Sequence, residues 1–297
     1  MISAAQRDAV FQFVLRFLAM TSAGIICLIC VFVARESWMV FDTGKGDFQI
    51  SQLLYDDGWN PAGNEFNLMP MIVGSLLATI GSALLAAPLG IGVAVFLNYY
   101  APAKIGWAVR RLVEIMAGVP SVVYGLWGLS VLVPLIASFS PLEQGQSLLA
   151  GVLILTFMTL PTVIVASDAA IQAVPQSHLN AAAALGLGKR ATIWSIVLPA
   201  ARLGLVSAVI LQFARAIGET MAVLMVCGNI VKTPDSVFAP VRTLTANIAL
   251  EMGYADTHHR SILFLSGLVG LAIVTVLMFA ANAVSSSSHS KFRFLRS

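Results

Sequence analysis

The chain has 297 residues, of which 58% are hydrophobic and only 10% charged, with a mean hydropathy of +0.88 and a formal net charge of +3. A soluble domain carries about 25% charged residues, so this chain lacks the ions to clothe a water-facing surface, and the same balance excludes a disordered segment or a nucleic-acid binder. It reads as an all-α integral membrane protein in which the few remaining charges are the informative residues.

A membrane helix needs about 20 apolar residues, because each adds about 1.5 Å across a hydrocarbon core about 30 Å thick. Residues 1–16 form a short terminal segment, and the charge-free run Phe17 to Ala34 then makes the first span. That run is longer than the apolar core of a signal peptide, about 7–15 residues, and Phe32-Val33-Ala34 is a poor cleavage site, so the span is predicted to be retained. The loop that follows is acidic, with Glu36, Asp42, Asp47, Asp56, Asp57 and Glu65. A second span lies near Pro70 to Leu97. The third starts within the uncharged run Ile115 to Leu142 and ends near Ala137. Gly118, Pro120, Gly125 and Gly128 interrupt it, which predicts an irregular helix whose freed carbonyls need partners or a wet cavity. Ser121 and Tyr124 are candidates to line that cavity or simply to pack. The fourth span covers Leu148 to Ser167, and Asp168 at its end reads as a solvated interface residue.

Between about 169 and 202 the chain leaves the membrane. Asn180 to Gly188 is alanine-rich and helix-favouring, then breaks at two glycines. A second helical piece, Arg190 to Val197, is predicted to stop before Leu198-Pro199. The product is two short helices joined by a turn, with a shallow alanine surface that a partner can approach, or an ordinary amphipathic connector.

The fifth span, roughly Leu203 to Val226, contains Arg215 and Glu219. Counted from Leu203, Arg215 is about 18 Å deep, near the middle of the bilayer. Each such charge costs roughly 2.5–3.5 kcal/mol on insertion scales. Four residues apart on one helix, the two share a face and partly neutralise each other. They read either as an interhelix ion pair that fixes packing or as a substrate site. An arginine fork suits an oxyanion, and a glutamate can accept a hydrogen bond from a protonated one such as hydrogen phosphate.

The sixth span covers about Ile262 to Val284, and the tail 285–297 opens with the serine run Ser285 to Ser288, read as a flexible junction. Cys27, Cys30 and Cys227 all sit in apolar runs and read as buried thiols, while the adjacent His258 and His259 fall in a polar loop; neither set has metal-ligand spacing. Cations set the orientation. With the amino terminus inside, Arg7, Arg16, Lys104, Arg110, Arg111, Lys189, Arg190, Arg202, Lys291, Arg293 and Arg296 lie inside. Arg35, Lys45, Lys232, Arg242 and Arg260 lie outside, a split of eleven to five. Both termini are therefore predicted cytoplasmic. No soluble segment is long enough for a catalytic domain, and no glycine-rich phosphate loop is present.

Several of these segments match a known pattern. Asn180-Ala181-Ala182, then Gly186, then Leu198-Pro199, resembles the EAA loop of ABC-importer permeases, with Asn180 in the glutamate position. Ala214-Arg215-Ala216-Ile217-Gly218-Glu219-Thr220-Met221-Ala222-Val223, followed by Gly228-Asn229, resembles the signature of phosphate-specific ABC permeases, and its Met-Ala-Val continuation is similar to the PstC-type subunit. Gly118 to Gly128 and Pro70 to Thr79 add further matches, so the resemblance runs from about Trp59 to the sixth span.

The resemblance implies a type I permease fold, with residues 17–284 as a six-helix transmembrane domain in a bacterial inner membrane. It implies a heterodimer with a PstA-type subunit, driven by a cytoplasmic ATP-binding subunit dimer and supplied by a periplasmic or extracellular phosphate-binding protein. It assigns phosphate translocation to Arg215, Glu219, Thr220, Ser121 and Tyr124, and ATPase coupling to Asn180, Ala181, Ala182, Gly186, Leu198 and Pro199. The chain itself would hold no cofactor and hydrolyse nothing. Without the salt bridge of a glutamate, Asn180 leaves the ionic part of that coupling contact open. Other readings of the residues are an ion-coupled secondary transporter, which predicts inverted repeats and several midplane acids, and a membrane-embedded enzyme, which needs a nucleophile with its base. A permease for another oxyanion, such as phosphonate, shares the architecture.

Overall fold

The computed structural model describes residues 4–42, 51–55 and 58–293. Lys45, Asp47, Asp56, Asp57 and Arg296 lie outside the described residues. The apolar runs become helices because hydrocarbon offers no partner for a free backbone N–H or C=O, so each span must satisfy its own. In chain order these are α1 (Ala4–Asp42) and a short α2 (Gln52–Tyr55). A small antiparallel hairpin follows, β1 (Trp59–Asn60) with β2 (Glu65–Phe66), in which Trp59 faces Phe66. Then come α3 (Met69–Tyr99), α4 (Ala103–Ala117), α5 (Ser121–Trp127), α6 (Val133–Ala137) and α7 (Leu148–Gln172). The rest comprises α8 (Gln176–Ala184), α9 (Lys189–Thr192), α10 (Leu198–Ile217), α11 (Met221–Val226), α12 (Leu244–Glu251) and α13 (Thr257–Arg293).

Among the described residues five helices are long and apolar enough to cross a membrane: 10–41, 69–99, 148–172, 189–217 and 257–279. The pair Ala103–Ala117 and Ser121–Ala137, bent by 98°, counts as a sixth. Glycine and proline at 118–120 therefore do break the third span, and they break it sharply. The cations Lys104, Arg110 and Arg111 ride on α4, inside a helix and not in a loop.

Two π-helical turns extend the chain where α-helix fails. Val133 N donates to Gly128 O and Leu198 N to Ile193 O, each five residues back. Pro134 and Pro199 come next in each case. A proline ring collides with the carbonyl four positions back, here Ser130 or Ser195, and has no N–H to offer it; the wider turn relieves both problems. The second helical piece of the inner loop consequently does not stop before Leu198-Pro199. It runs on as one 29-residue helix, Lys189–Ile217.

Small residues set the packing at the centre. A Cβ on Gly90 of α3 would lie 2.6 Å from Val163 Cγ1 of α7, and one on Gly125 of α5 would lie 3.0 Å from Ala222 Cα of α11. Such close approach is how membrane helices gain van der Waals contact where lipid removes the hydrophobic drive. Around them Leu132, Ile154, Met158, Val223 and Val226 form the main buried cluster. A second cluster, with Leu53, Phe66, Met71, Leu244 and Ile262, ties the hairpin to α3, α12 and α13.

Other expectations need correction. Cys27 and Cys30 are exposed on α1, and only Cys227 is buried, because the α1 stretch 10–41 packs too little of its surface on this chain. His258 and His259 are buried in the first turn of α13, outside any loop. That helix also continues through Ser285–Ser288 to Arg293, so the serine run does not end it.

Candidate functional site

The fifth span is broken, and the break falls between the two charges. α10 ends at Ile217, Gly218 closes it, and α11 starts at Met221. Glu219 therefore does not lie one turn above Arg215 on a common face, and among the described residues no ion pair joins them. Glu219 instead turns to the next helix. Its Oε1 accepts from Ala222 N at 3.3 Å, placing a negative charge at the start of α11, where backbone N–H groups are unpaired. Thr245 Oγ1 donates to Glu219 O at 2.8 Å. Thr220 is half-buried, and its hydroxyl makes a long 3.4 Å contact with Gly218 O.

Arg215 is exposed on the surface of the isolated chain, and among the described residues it makes no hydrogen bond or ion pair. Its depth can be read from a neighbour. Gln212, one turn earlier on α10, is fully buried, and its Nε2 lies 3.4 Å from both Ser82 Oγ and Thr159 Oγ1. Thr159 is close to the midpoint of α7, so Arg215 lies within about a turn of the level of that midpoint.

The third span meets this break. Tyr124 is buried, and its hydroxyl donates to Met116 O at 2.9 Å across the Gly118–Pro120 bend. One carbonyl freed by the bend is thus satisfied from within. Ser121, the first residue of α5, is half-buried. A groove of about 400 Å³ lined by Met116, Val119, Val123, Tyr124, Trp127 and Phe157 runs beside the bend and is almost wholly apolar.

At the far end of α7, the loop predicted as a docking element projects from the bundle. Gly186 has φ +68°, Leu187 N donates to Ala182 O and Gly186 N to Ala183 O. This is the double-bonded turn that ends a helix at a left-handed residue, a conformation glycine adopts without strain. Asn180 and Ala181 are exposed, and Asn180 Oδ1 accepts from Gln176 Nε2 at 3.4 Å. Leu185 is 77% exposed and Trp194 67%. Ala182 is buried and Leu198 half-buried against Val197, Ala201 and Leu205, so these two seat the loop on the bundle, while Pro199 faces outward.

Sequence reasoning missed the role of Asp168. It is no solvated residue: its carboxylate receives Arg110 Nε at 3.1 Å and Nη2 at 3.0 Å, Asn98 Nδ2 at 2.6 Å and Gln172 Nε2 at 2.9 Å. The paired arginine contacts join α4 to α7, and Asn98 adds α3. The available signal was an acid and a base that close apolar runs on the same side.

Residues 86–290, more than half of the chain, match the family described as binding-protein-dependent transport system inner membrane component. A phosphate transport system permease protein PstC of Xylella fastidiosa is 33% identical over 288 residues, covering 91% of this chain and 88% of that protein. A probable ABC transporter permease protein YqgH of Bacillus subtilis is 40% identical over 232 residues, covering 77% and 75%. Among solved structures, a bacterial ABC transporter involved in the import of the acidic polysaccharide alginate aligns with TM-score 0.66 at 13% identity, over 96% of this chain and 99% of that one. The MetNI methionine ABC transporter in an inward-facing conformation aligns with TM-score 0.61 at 19% identity, over 74% and 95%. These two likenesses establish a shared fold.

Proposed function

The chain belongs to the binding-protein-dependent transport system inner membrane components, among permeases of the PstC type, and from that premise we propose that it conducts inorganic phosphate inward past Arg215 as one half of an ATP-driven importer. It is a non-catalytic subunit of the inner membrane. Its partners are a second permease subunit of the PstA type, a cytoplasmic ATP-binding dimer seated on the α8–α9 loop, and an outer phosphate-binding protein.

The observation that carries the reading is Arg215 itself: a guanidinium near mid-membrane, on an outward face, with no partner among the described residues. A charge at that depth is tolerated where it faces a wet path or a charged guest. The planar fork of arginine matches two oxygens of a tetrahedral oxyanion and stays charged at any physiological pH. Glu219 contributes differently. With Oε1 held on Ala222 N, its second oxygen is free to accept a hydrogen bond from a phosphate that still carries a proton. Sulfate has no such proton and would meet only repulsion, which gives a physical basis for preferring phosphate.

ATP-dependent phosphate uptake by the reconstituted complex tests both residues. Arg215→Ala is expected to lower uptake about 10–100-fold, the loss of a charge-assisted, two-point contact. Glu219→Gln is expected to narrow the preference for phosphate over sulfate. Normal flux in the Arg215→Ala complex would remove the central assignment.

A further inference from the structure

Opposite the α8–α9 loop, a buried ionic hub lies outside the site described above. The Glu251 carboxylate, 5% exposed, accepts Arg242 Nη1 on Oε1 at 2.7 Å and Trp59 Nε1 on Oε2 at 2.7 Å. His259 Nε2 lies 2.9 Å from the same Oε2. Arg242 reaches further, with Nη1 on Asn247 Oδ1 and Nε on Asn229 O, both at 2.9 Å. The hub thus joins β1, α12, α13 and the turn that follows α11.

Glu251 is the last residue of α12, and the first turn of α12 touches the candidate site. Thr243 caps the helix, Leu244 N donates to Ser75 Oγ at 2.9 Å, and Thr245 Oγ1 holds Glu219 O at 2.8 Å. Both ends of α11 are therefore gripped by one segment: Glu219 ahead of it by Thr245, Asn229 behind it by Arg242. Arg242 belongs to the hub itself, and the helical stretch from Thr245 to Glu251 makes a rod about 9 Å long between the other grip and the hub. Burying an ion pair such as Arg242–Glu251 gains little net stability over apolar packing, so the contribution that stands out is placement. We propose that Glu251 is a positioning residue for Glu219, acting through α12 as a strut that sets where the break in the fifth span holds its carboxylate. This inference rests on the proposed role of Glu219.

The test is a double-mutant cycle in the intact membrane complex, scored as ATP-dependent uptake of inorganic phosphate per assembled complex. Glu251→Gln alone is expected to slow uptake about tenfold, and combined with Glu219→Gln to add nothing beyond the slower single variant. Thr245→Val removes only the hydroxyl that grips Glu219 O; it too is expected to be non-additive with Glu219→Gln, and it serves if Glu251→Gln assembles poorly. A simple subunit defect would multiply with Glu219→Gln, to about a hundredfold, and multiplication in either cycle overturns the strut. Glu219→Gln that leaves both phosphate uptake and the exclusion of sulfate unchanged overturns the site reading, and the strut with it.

Discussion

Asp168 shows how one side chain fixes the angle between two helices. Its two oxygens take four donated hydrogen bonds, two of them from the Arg110 fork, across 58 residues of sequence. Asp168→Asn would keep the shape but lose the charge and half of the acceptor capacity, leaving Arg110 on α4 without its anion. Because the Arg110 side chain is 39% exposed, water recovers part of the loss, and the expected destabilisation is about 1–2 kcal/mol, below that of a fully buried pair. A thermal melt of the purified chain checks it, with Arg110→Lys expected to fall between the two because a lysine cannot make the paired contact. Tyr124→Phe is a milder version of the same experiment. It removes one donor from the Met116 carbonyl, which keeps Val119 N at 3.2 Å, and should cost about 0.5–1 kcal/mol in the same melt.

At the scale of elements, α3 and α7 pack as closely as they do because Gly90 has no side chain. Gly90→Ala would place a methyl 2.6 Å from Val163 Cγ1 and 2.8 Å from Val163 Cβ, so the helices must part. Overpacking of this kind costs about 1–3 kcal/mol, and Val163→Ala in the same chain, which removes Cγ1 but keeps the Cβ at 2.8 Å, should recover part of it. A melt of the two single variants and the double decides the matter, since failure of Val163→Ala to compensate would mean the strain lies elsewhere. Such contacts also mark what could be read from sequence. Spans were legible because scarce charge leaves long uninterrupted apolar runs, and the break at Gly118–Pro120 was legible because those residues cannot continue a helix. The 98° bend was not, since Arg110 and Asp168 brace it from distant positions. Likewise Arg215 was legible as a charge out of place, whereas the end of α10 at Ile217 was not. Alanine, isoleucine and glycine at 216–218 give no strong stop, and the break is held by Thr245, 26 residues beyond Glu219. The hub of Glu251, Arg242, His259 and Trp59 was hidden for the same reason, Trp59 lying 192 positions from the Glu251 it binds.

For the whole molecule, passes of the chain alternate in direction, so the α8–α9 loop and the 227–256 segment lie at opposite ends of the bundle. α1 leans on α13 through Phe32 against Phe264, rings 5.7 Å apart at 89°, and Val40 near its end joins the second cluster, while most of its apolar surface faces outward. The cations predict that the α8–α9 end faces the cytoplasm: among the described residues ten lie on that side and four on the other. The loop, 173–202, also carries no acidic residue, and Lys189 and Arg190 lie beside the exposed Trp194 in a shallow depression of about 720 Å³. Two single-cysteine chains decide the orientation, each with Cys27, Cys30 and Cys227 replaced by alanine. Leu185→Cys and Tyr254→Cys occupy sites 77% and 72% exposed, so both should react with a membrane-impermeant maleimide wherever it can reach them. In intact cells only Tyr254→Cys is expected to label, and in inverted vesicles only Leu185→Cys. The reverse pattern would turn the molecule over and place its docking loop beyond the reach of a cytoplasmic ATPase. Labelling of both from one side would mean that α10 does not cross, and Arg215 would then no longer stand in a path through the membrane.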